Sequence, residues 1–304
     1  MRPFRLALAI ISFLVAVAAA RALEVRPVAK DVYAIVGPKE QRSSENLGNN
    51  ATFGVIVTPD GVVLVDPGGS WKGAEALDQT IASLTDKPVK IIINSGGQDH
   101  RWLGNGYWKA KGATIIASEV AVADHKARAG MQMEGLKQFL GDKLAGTEPV
   151  YAGTTFKEEA RVALGGVDLL ICHSGQAHTP GDSYIWLEDR KVIFTGDIVY
   201  TERILGVGPQ SHAGNWIRAF DAMASLAPVH VVPGHGGPTD LARAKRDTLD
   251  YLTNLRTGIK ALIDKGGSLG DAPKVNQSAF TQLEQFDSLA ARNAAQVFTE
   301  MELE

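Results

Sequence analysis

Four segments of this chain have residue types and spacing that can do chemistry. They are Asp99-His100, Ala177-His178-Thr179-Pro180-Gly181-Asp182, Thr195-Gly196-Asp197 and Pro233-Gly234-His235-Gly236. Together they offer the imidazoles of His100, His178 and His235 and the carboxylates of Asp99 and Asp197, each at or beside a glycine-bearing turn. Imidazole and carboxylate suit zinc or iron, and a neighbouring glycine lets backbone approach a bound group closely. A metal held with one coordination position open lowers the pKa of a water from about 15.7 to near 7, which is hydrolytic chemistry. The run before the first pair, Asn94-Ser95-Gly96-Gly97-Gln98, has no histidine where a two-metal site needs two more.

Such ligands need rigid mounts. Phe53 to Thr58 and Val62 to Asp66, joined by Pro59-Asp60-Gly61, read as a β-hairpin that leaves through the sharp exit Asp66-Pro67-Gly68. The patterning then predicts a helix over 71–84 and a strand over 89–94, which delivers the chain to Asp99-His100. A helix over 102–111 and a strand over 113–117 follow. A second hairpin, 183–187 with 191–195, exits at Gly196-Asp197, and the strand-like Val229-His230-Val231-Val232 leads to Gly234-His235. Two hairpins that each end in an aspartate turn suggest an internally duplicated sheet sandwich. Alternating strands and helices exclude all-α and all-β classes.

Near the end, Leu241, Ala244, Thr248, Leu252, Leu255, Ile259 and Leu262 mark an amphipathic helix. A linker from Gly266 to Pro273 leads to a last helix with the stripe Phe280, Leu283, Phe286, Ala290, Ala294 and Val297, which packs on the core or on a partner subunit. At the other end, Arg2 and Arg5, the apolar run Leu6 to Ala20 and the sequence Ala20-Arg21-Ala22 read as a signal peptide over 1–22. The run is too short to span a bilayer comfortably. The expectation is therefore a periplasmic or secreted protein with no membrane contact after cleavage.

A net charge of −3 gives no sign of a nucleic-acid partner. A small-molecule substrate is the expected partner, and a homo-oligomer is left open. Cys172 stands alone, so no internal disulfide forms; it reads as an inert thiol in a buried strand. His173 and His230 fall in strands as supporting groups, while His125 and His212 read as exposed.

From Val32 to Gly266 this ordered set of motifs resembles the metallo-β-lactamase superfamily. Asp66-Pro67-Gly68, His178 to Asp182, Gly196-Asp197 and Gly234-His235 carry the resemblance. The segments Glu45 to Gly54 and Glu202-Arg203-Ile204 are similar to its exported branch, the quinoprotein relay system zinc metallohydrolases and their sulfur-oxidation relatives. The resemblance implies an α/β fold, a four-layer αββα sandwich over 23–265, with a linker and added C-terminal helix over 266–304.

It also implies how the site is filled. The family's His-x-His-x-Asp-His is represented here only by Asp99-His100. The missing histidines fall at Ser95 and Gly97, or at Gly96 and Gln98 with a one-residue shift. One metal position keeps Asp99, His100 and His235 with Asp197 shared. The other keeps only His178 and Asp197, too few for a tightly held zinc. One zinc is thus expected rather than two, with iron the other metal that suits the ligands. Asp99 or His178 would handle the proton, and Trp102, Tyr200 and Arg203 would meet the substrate. The implied function is an exported metal-dependent hydrolase. The competing reading is a non-catalytic metal- or ligand-binding accessory protein with a decayed dinuclear site. The fold does not choose a substrate, and the family name carries no β-lactam prediction.

Overall fold

Val62-Val63-Leu64-Val65 lacks polar alternation because its strand is covered on both faces. Val63 and Val65 enter a core between two sheets, while Val62 and Leu64 enter another beneath helices. That division organises the whole chain, of which the computed structural model describes residues 23–304. The signal peptide read over 1–22 lies outside the described residues.

The first sheet contains β1 (Glu24–Ala29), β2 (Val32–Val36), β3 (Thr52–Thr58), β4 (Gly61–Val65), β5 (Val89–Ile93), β6 (Thr114–Ser118) and β7 (Thr154–Phe156), in sequential order. It is antiparallel as far as β4 and parallel from there on. Parallel neighbours need crossovers, supplied here by α1 (Trp71–Ala82), α2 (Asn105–Ala110) and α3 (Glu119–Leu140). The second sheet contains β8 (Glu159–Leu164), β9 (Val167–Cys172), β10 (Tyr184–Leu187), β11 (Val192–Phe194) and β12 (His230–Val232). Its spatial order is β12-β11-β10-β9-β8. Only β11 and β12 are parallel, and α4 (Ala213–Ala224) lies in the crossover between them.

Three cores separate four layers. Leu77 and Ile81 of α1 and Trp108 of α2 cover one face of the first sheet. Ile56, Val63 and Ile93 meet Ile171, Ile185 and Phe194 between the sheets. Trp186, Ile193 and Val231 on the far face of the second sheet pack with Trp216, Leu255 and Val297 from the C-terminal helices. This is the expected αββα sandwich.

The predicted helix from Leu241 is built as α5 (Leu241–Ala244), a π-turn over Lys245–Leu249 and α6 (Asp250–Ile263). The expected linker is ordered: Leu269–Lys274 forms a 3-10 turn in which Ser268 and Asp271 cap one another. The last helix, α7 (Phe286–Met301), starts later than its stripe. Phe280 and Leu283 are buried ahead of it. Near the first motif, Asp99–Arg101 is a 3-10 turn, so the helix expected from 102 begins at Asn105. His125 corrects an expectation: it is fully buried on α3, where it stacks on Trp102 and its Nε2 meets the Gly96 carbonyl at 2.9 Å. His212 is half-exposed and caps α4 through Asn215 N–H. Cys172 is buried and free.

Candidate metal centre

Three strand ends bring the candidate ligands together. The chain leaves β5 into the turn that holds His100, leaves β11 through Gly196 to Asp197, and leaves β12 through Gly234 to His235. Loops at the carboxyl ends of strands are where such sheets place their sites. Gly196 has φ +48°, and a side chain there would overlap Ser95, so the turn that aims Asp197 depends on glycine.

His100, Asp197 and His235 are buried, and each offers a ligand atom within 4.8 Å of the other two. His100 Nε2 lies 3.5 Å from Asp197 Oδ2, and His235 Nε2 lies 3.2 Å from Asp197 Oδ1. The two imidazoles stand edge to face, 5.1 Å apart. His100 Nδ1 lies 3.2 Å from Asp99 Oδ1 and 3.4 Å from Arg42 Nη2, and Nε2 faces the cluster. Neither His100 Nε2 nor His235 Nδ1 has a hydrogen-bond partner among the described residues. Buried polar atoms are normally satisfied, so the His100 Nε2 orphan, which faces the Asp197 carboxylate, fits a divalent cation.

Asp99 stands behind this cluster. Arg42 clamps it with Nε to Oδ2 at 2.5 Å and Nη2 to Oδ1 at 2.6 Å, and the His100 backbone N–H donates to it at 2.8 Å. Burial would raise its pKa, but Arg42 and then His100 outweigh burial and hold the carboxyl far below the usual range. Asp99 thus orients His100 as a fixed anion.

A second arginine forms the floor. Arg101 is fully buried and donates Nη1 to Asp66 at 2.8 Å, Nη2 to Asp197 at 2.7 Å, and further bonds to the Thr52 and Gly234 carbonyls. Burial opposes its charge, yet the Asp197 and Asp66 carboxylates prevail and raise its pKa. Asp197 is therefore pinned from below while its other edge faces the histidines. Asp66 also accepts Ser95 N–H and Oγ–H, both at 2.8 Å, so Ser95, one of the positions without a histidine, ties this floor together.

The rest of that stretch belongs to α3. The Gly97 carbonyl accepts from Arg128 Nη2 at 2.9 Å and Gln132 Nε2 at 2.8 Å, and the Gly97 N–H donates to Thr179. A Cβ at Gly97 would overlap the Asp124 carboxylate, which is paired with Arg128; at Gly96 it would overlap Asp182. The space of the absent imidazoles is filled.

His178 lies outside the three-residue cluster. Its Nδ1–H donates to the Gly206 carbonyl at 2.8 Å, and its Nε2 lies 3.2 Å from the Gln98 amide oxygen. Burial presses its pKa down to about 4, against the opposing pull of Asp197 and Gly206, so the ring is neutral near pH 7. Tyr200 stacks on His235 at 4.5 Å, and Arg203 lies over the Tyr200 ring. Trp102 does not reach the site surface: it is wholly buried and donates its indole N–H to Gln132 at 2.8 Å. Arg42, Asp66, Arg101 and the α3 residues are what reading by motif missed. Arg101 adjoins the Asp99-His100 pair, but nothing in one sequence marks an arginine as buried.

Comparison with known proteins agrees with this fold. The Metallo-beta-lactamase superfamily pattern matches residues 48–235. A metallo-beta-lactamase from Pontibacter korlensis is 20% identical with a TM-score of 0.63, over 76% of this chain and 99% of its own. A solved structure of TMB-1 is also 20% identical, TM-score 0.59, over 75% of this chain and 96% of its own. The sec-alkyl sulfatase PisA1, studied as a double mutant, superimposes over 92% of this chain with a TM-score of 0.69 and 18% identity. This chain spans half of that protein. Likeness at these identities is likeness of fold.

Proposed function

From the premise that this chain belongs to the metallo-beta-lactamase superfamily, we propose that it is an exported metal-dependent hydrolase of a small molecule, with one divalent ion, zinc by ligand type, held by His100, Asp197 and His235. The observation that carries the reading is the buried, orphaned Nε2 of His100 turned toward a carboxylate and a second imidazole. Bound there, zinc supplies Lewis acidity that brings the pKa of a water toward 7.

The protein's own residues do the rest. Asp99, held anionic by Arg42, orients His100 and takes up no proton in the working pH range. Arg101 fixes Asp197 so that it cannot rotate away from the histidines. His178, neutral and with a lone pair on Nε2, accepts a proton from the attacking water or returns one to the leaving group. The signal-like pattern of residues 1–22 supports export, and among the described residues no helix is long and apolar enough to cross a membrane.

Metal content by mass spectrometry, on protein made without added metal, tests this reading. About one zinc per chain is expected. His100→Ala and His235→Ala lose metal and activity together, while His178→Ala keeps metal and loses about 100-fold or more in turnover. Full metal occupancy in all three variants would overturn the ligand assignment. Full occupancy with no turnover of ester, thioester, lactam or sulfate-ester substrates would favour the accessory-protein reading.

A further inference from the structure

The outward face of α3 is apolar where a solvent-facing helix surface is normally polar. Ala123, Ala127, Met131, Gly135 and Phe139 follow one another at four-residue steps and so form a single ridge along the helix. Met131 is 64% exposed and Phe139 52%, and Ala123 and Ala127 are exposed as well. With Val120, three of the six large hydrophobic side chains that stand exposed among the described residues belong to this one helix. Its other side is committed, through His125, Arg128 and Gln132, to Gly96 and Gly97.

Two further features of this face have no explanation within the chain. Gly130 and Gly135 sit in mid-helix, where glycine is less stable than alanine, yet a Cβ at either would meet nothing within 4 Å. Beside the ridge runs the row Lys126, Gly130 and Glu134, all exposed. The Lys126 ammonium lies 5.7 Å from the centre of the Tyr151 ring, and neither Lys126 nor Glu134 has an ion-pair partner among the described residues. The ridge is centred on Met131 and the Lys126–Glu134 pair on Gly130. Reversing the helix about that point lays apolar residues on apolar residues and each lysine on a glutamate. A surface with that property is self-complementary about a two-fold axis.

We propose that the outward face of α3 is a homodimer interface, on which a second copy of this chain lies antiparallel about a two-fold axis near Gly130 and Met131. Lys126 of each protomer then faces the partner subunit's Glu134, and the apolar ridges interlock, with the two glycines letting the backbones approach. α3 has 22 residues. Its length of about 33 Å gives a contact smaller than the standard interface of about 1,600 Å², so the association is reversible and concentration-dependent. Because the site-facing side of α3 points the other way, pairing leaves the histidine cluster uncovered. Nothing in this pairing depends on the hydrolase reading.

Sedimentation velocity on the exported chain, from micromolar to near-millimolar concentration, tests it. The mass should rise from one chain to two. Met131→Glu should weaken association about tenfold or more, because it places two carboxylates at the dry centre of the contact. Lys126→Glu and Glu134→Lys should each weaken it about tenfold, since like charges then oppose one another. An equimolar mixture of those two variants should associate as the wild type does, because each copy then answers the other. All three changes are on solvent-facing side chains and should leave zinc content and the melting curve of the dilute protein unchanged. One chain's mass at every concentration would overturn the proposal and leave the face to a different protein. So would dimers unaffected by Met131→Glu, a mass that keeps rising beyond two chains, or a mixture that stays as dissociated as its components.

Discussion

Arg101 is the residue on which most of the centre's geometry depends. It holds Asp66, Asp197 and two backbone carbonyls at once, with no solvent to take over if it is lost. Removing one partner of a buried ion pair strands the others, a loss of about 3–5 kcal/mol. Arg101→Met should accordingly lower the unfolding free energy measured in urea by an amount of that order and reduce zinc affinity, because Asp197 loses its anchor. Unchanged stability and metal content would mean that the Asp66–Arg101–Asp197 chain is dispensable. Arg42 differs: it is partly exposed, pairs with Asp99 and lies 3.4 Å from His100 Nδ1.

At the scale of elements, α3 explains why the missing histidines are structural facts and not merely substitutions. His125, Arg128 and Gln132 all bond the backbone of Gly96 and Gly97, so one face of this helix closes the half of the site that lacks ligands. Gly97→Ala is the smallest probe of that closure. It should destabilise the fold by about 1–3 kcal/mol in chemical denaturation, the usual cost of overpacking. The double change Ser95→His with Gly97→His should fail to bind a second zinc while Asp124 and Arg128 remain; a second ion at wild-type stability would sink this account. The same helix shows where a single sequence stops speaking. Strands β3 to β6 and β9 to β12, both hairpin exits and the Asp99-His100, Asp197 and His235 positions were legible because apolar runs, turn residues and motif spacing are local signals; β1, β2, β7 and β8 were not read. The burial of His125 and Arg101 was not, since each is created by a partner distant in sequence, Gly96 for one and Asp197 for the other. The start of α2 at Asn105 was missed for a related reason: tertiary bonds of Arg101 hold the preceding turn in 3-10 form.

Over the whole molecule, the C-terminal segment belongs to the sandwich. Leu289, Val297 and Phe298 of α7 are buried in the core shared with β10, β11 and α6, each contributing roughly 1.5–3 kcal/mol on burial. Domains of this kind hold a net stability of only about 5–15 kcal/mol. A chain ending after residue 265 should therefore fail to give a cooperative thermal transition and should bind little zinc. Cooperative unfolding of that shortened chain would mean that the sandwich is complete without α7.

The side chain of Asn293, on α7, donates to the Leu205 carbonyl at 2.8 Å and accepts from the Val207 N–H at 2.8 Å. It thereby fastens the strand of chain that follows Arg203 and carries Gly206, the carbonyl that orients His178. Asn293 leaves the ribosome after every candidate ligand has been made. The fold thus contains its own test of completeness: a copy whose synthesis stops early has all of its histidines and still cannot aim them.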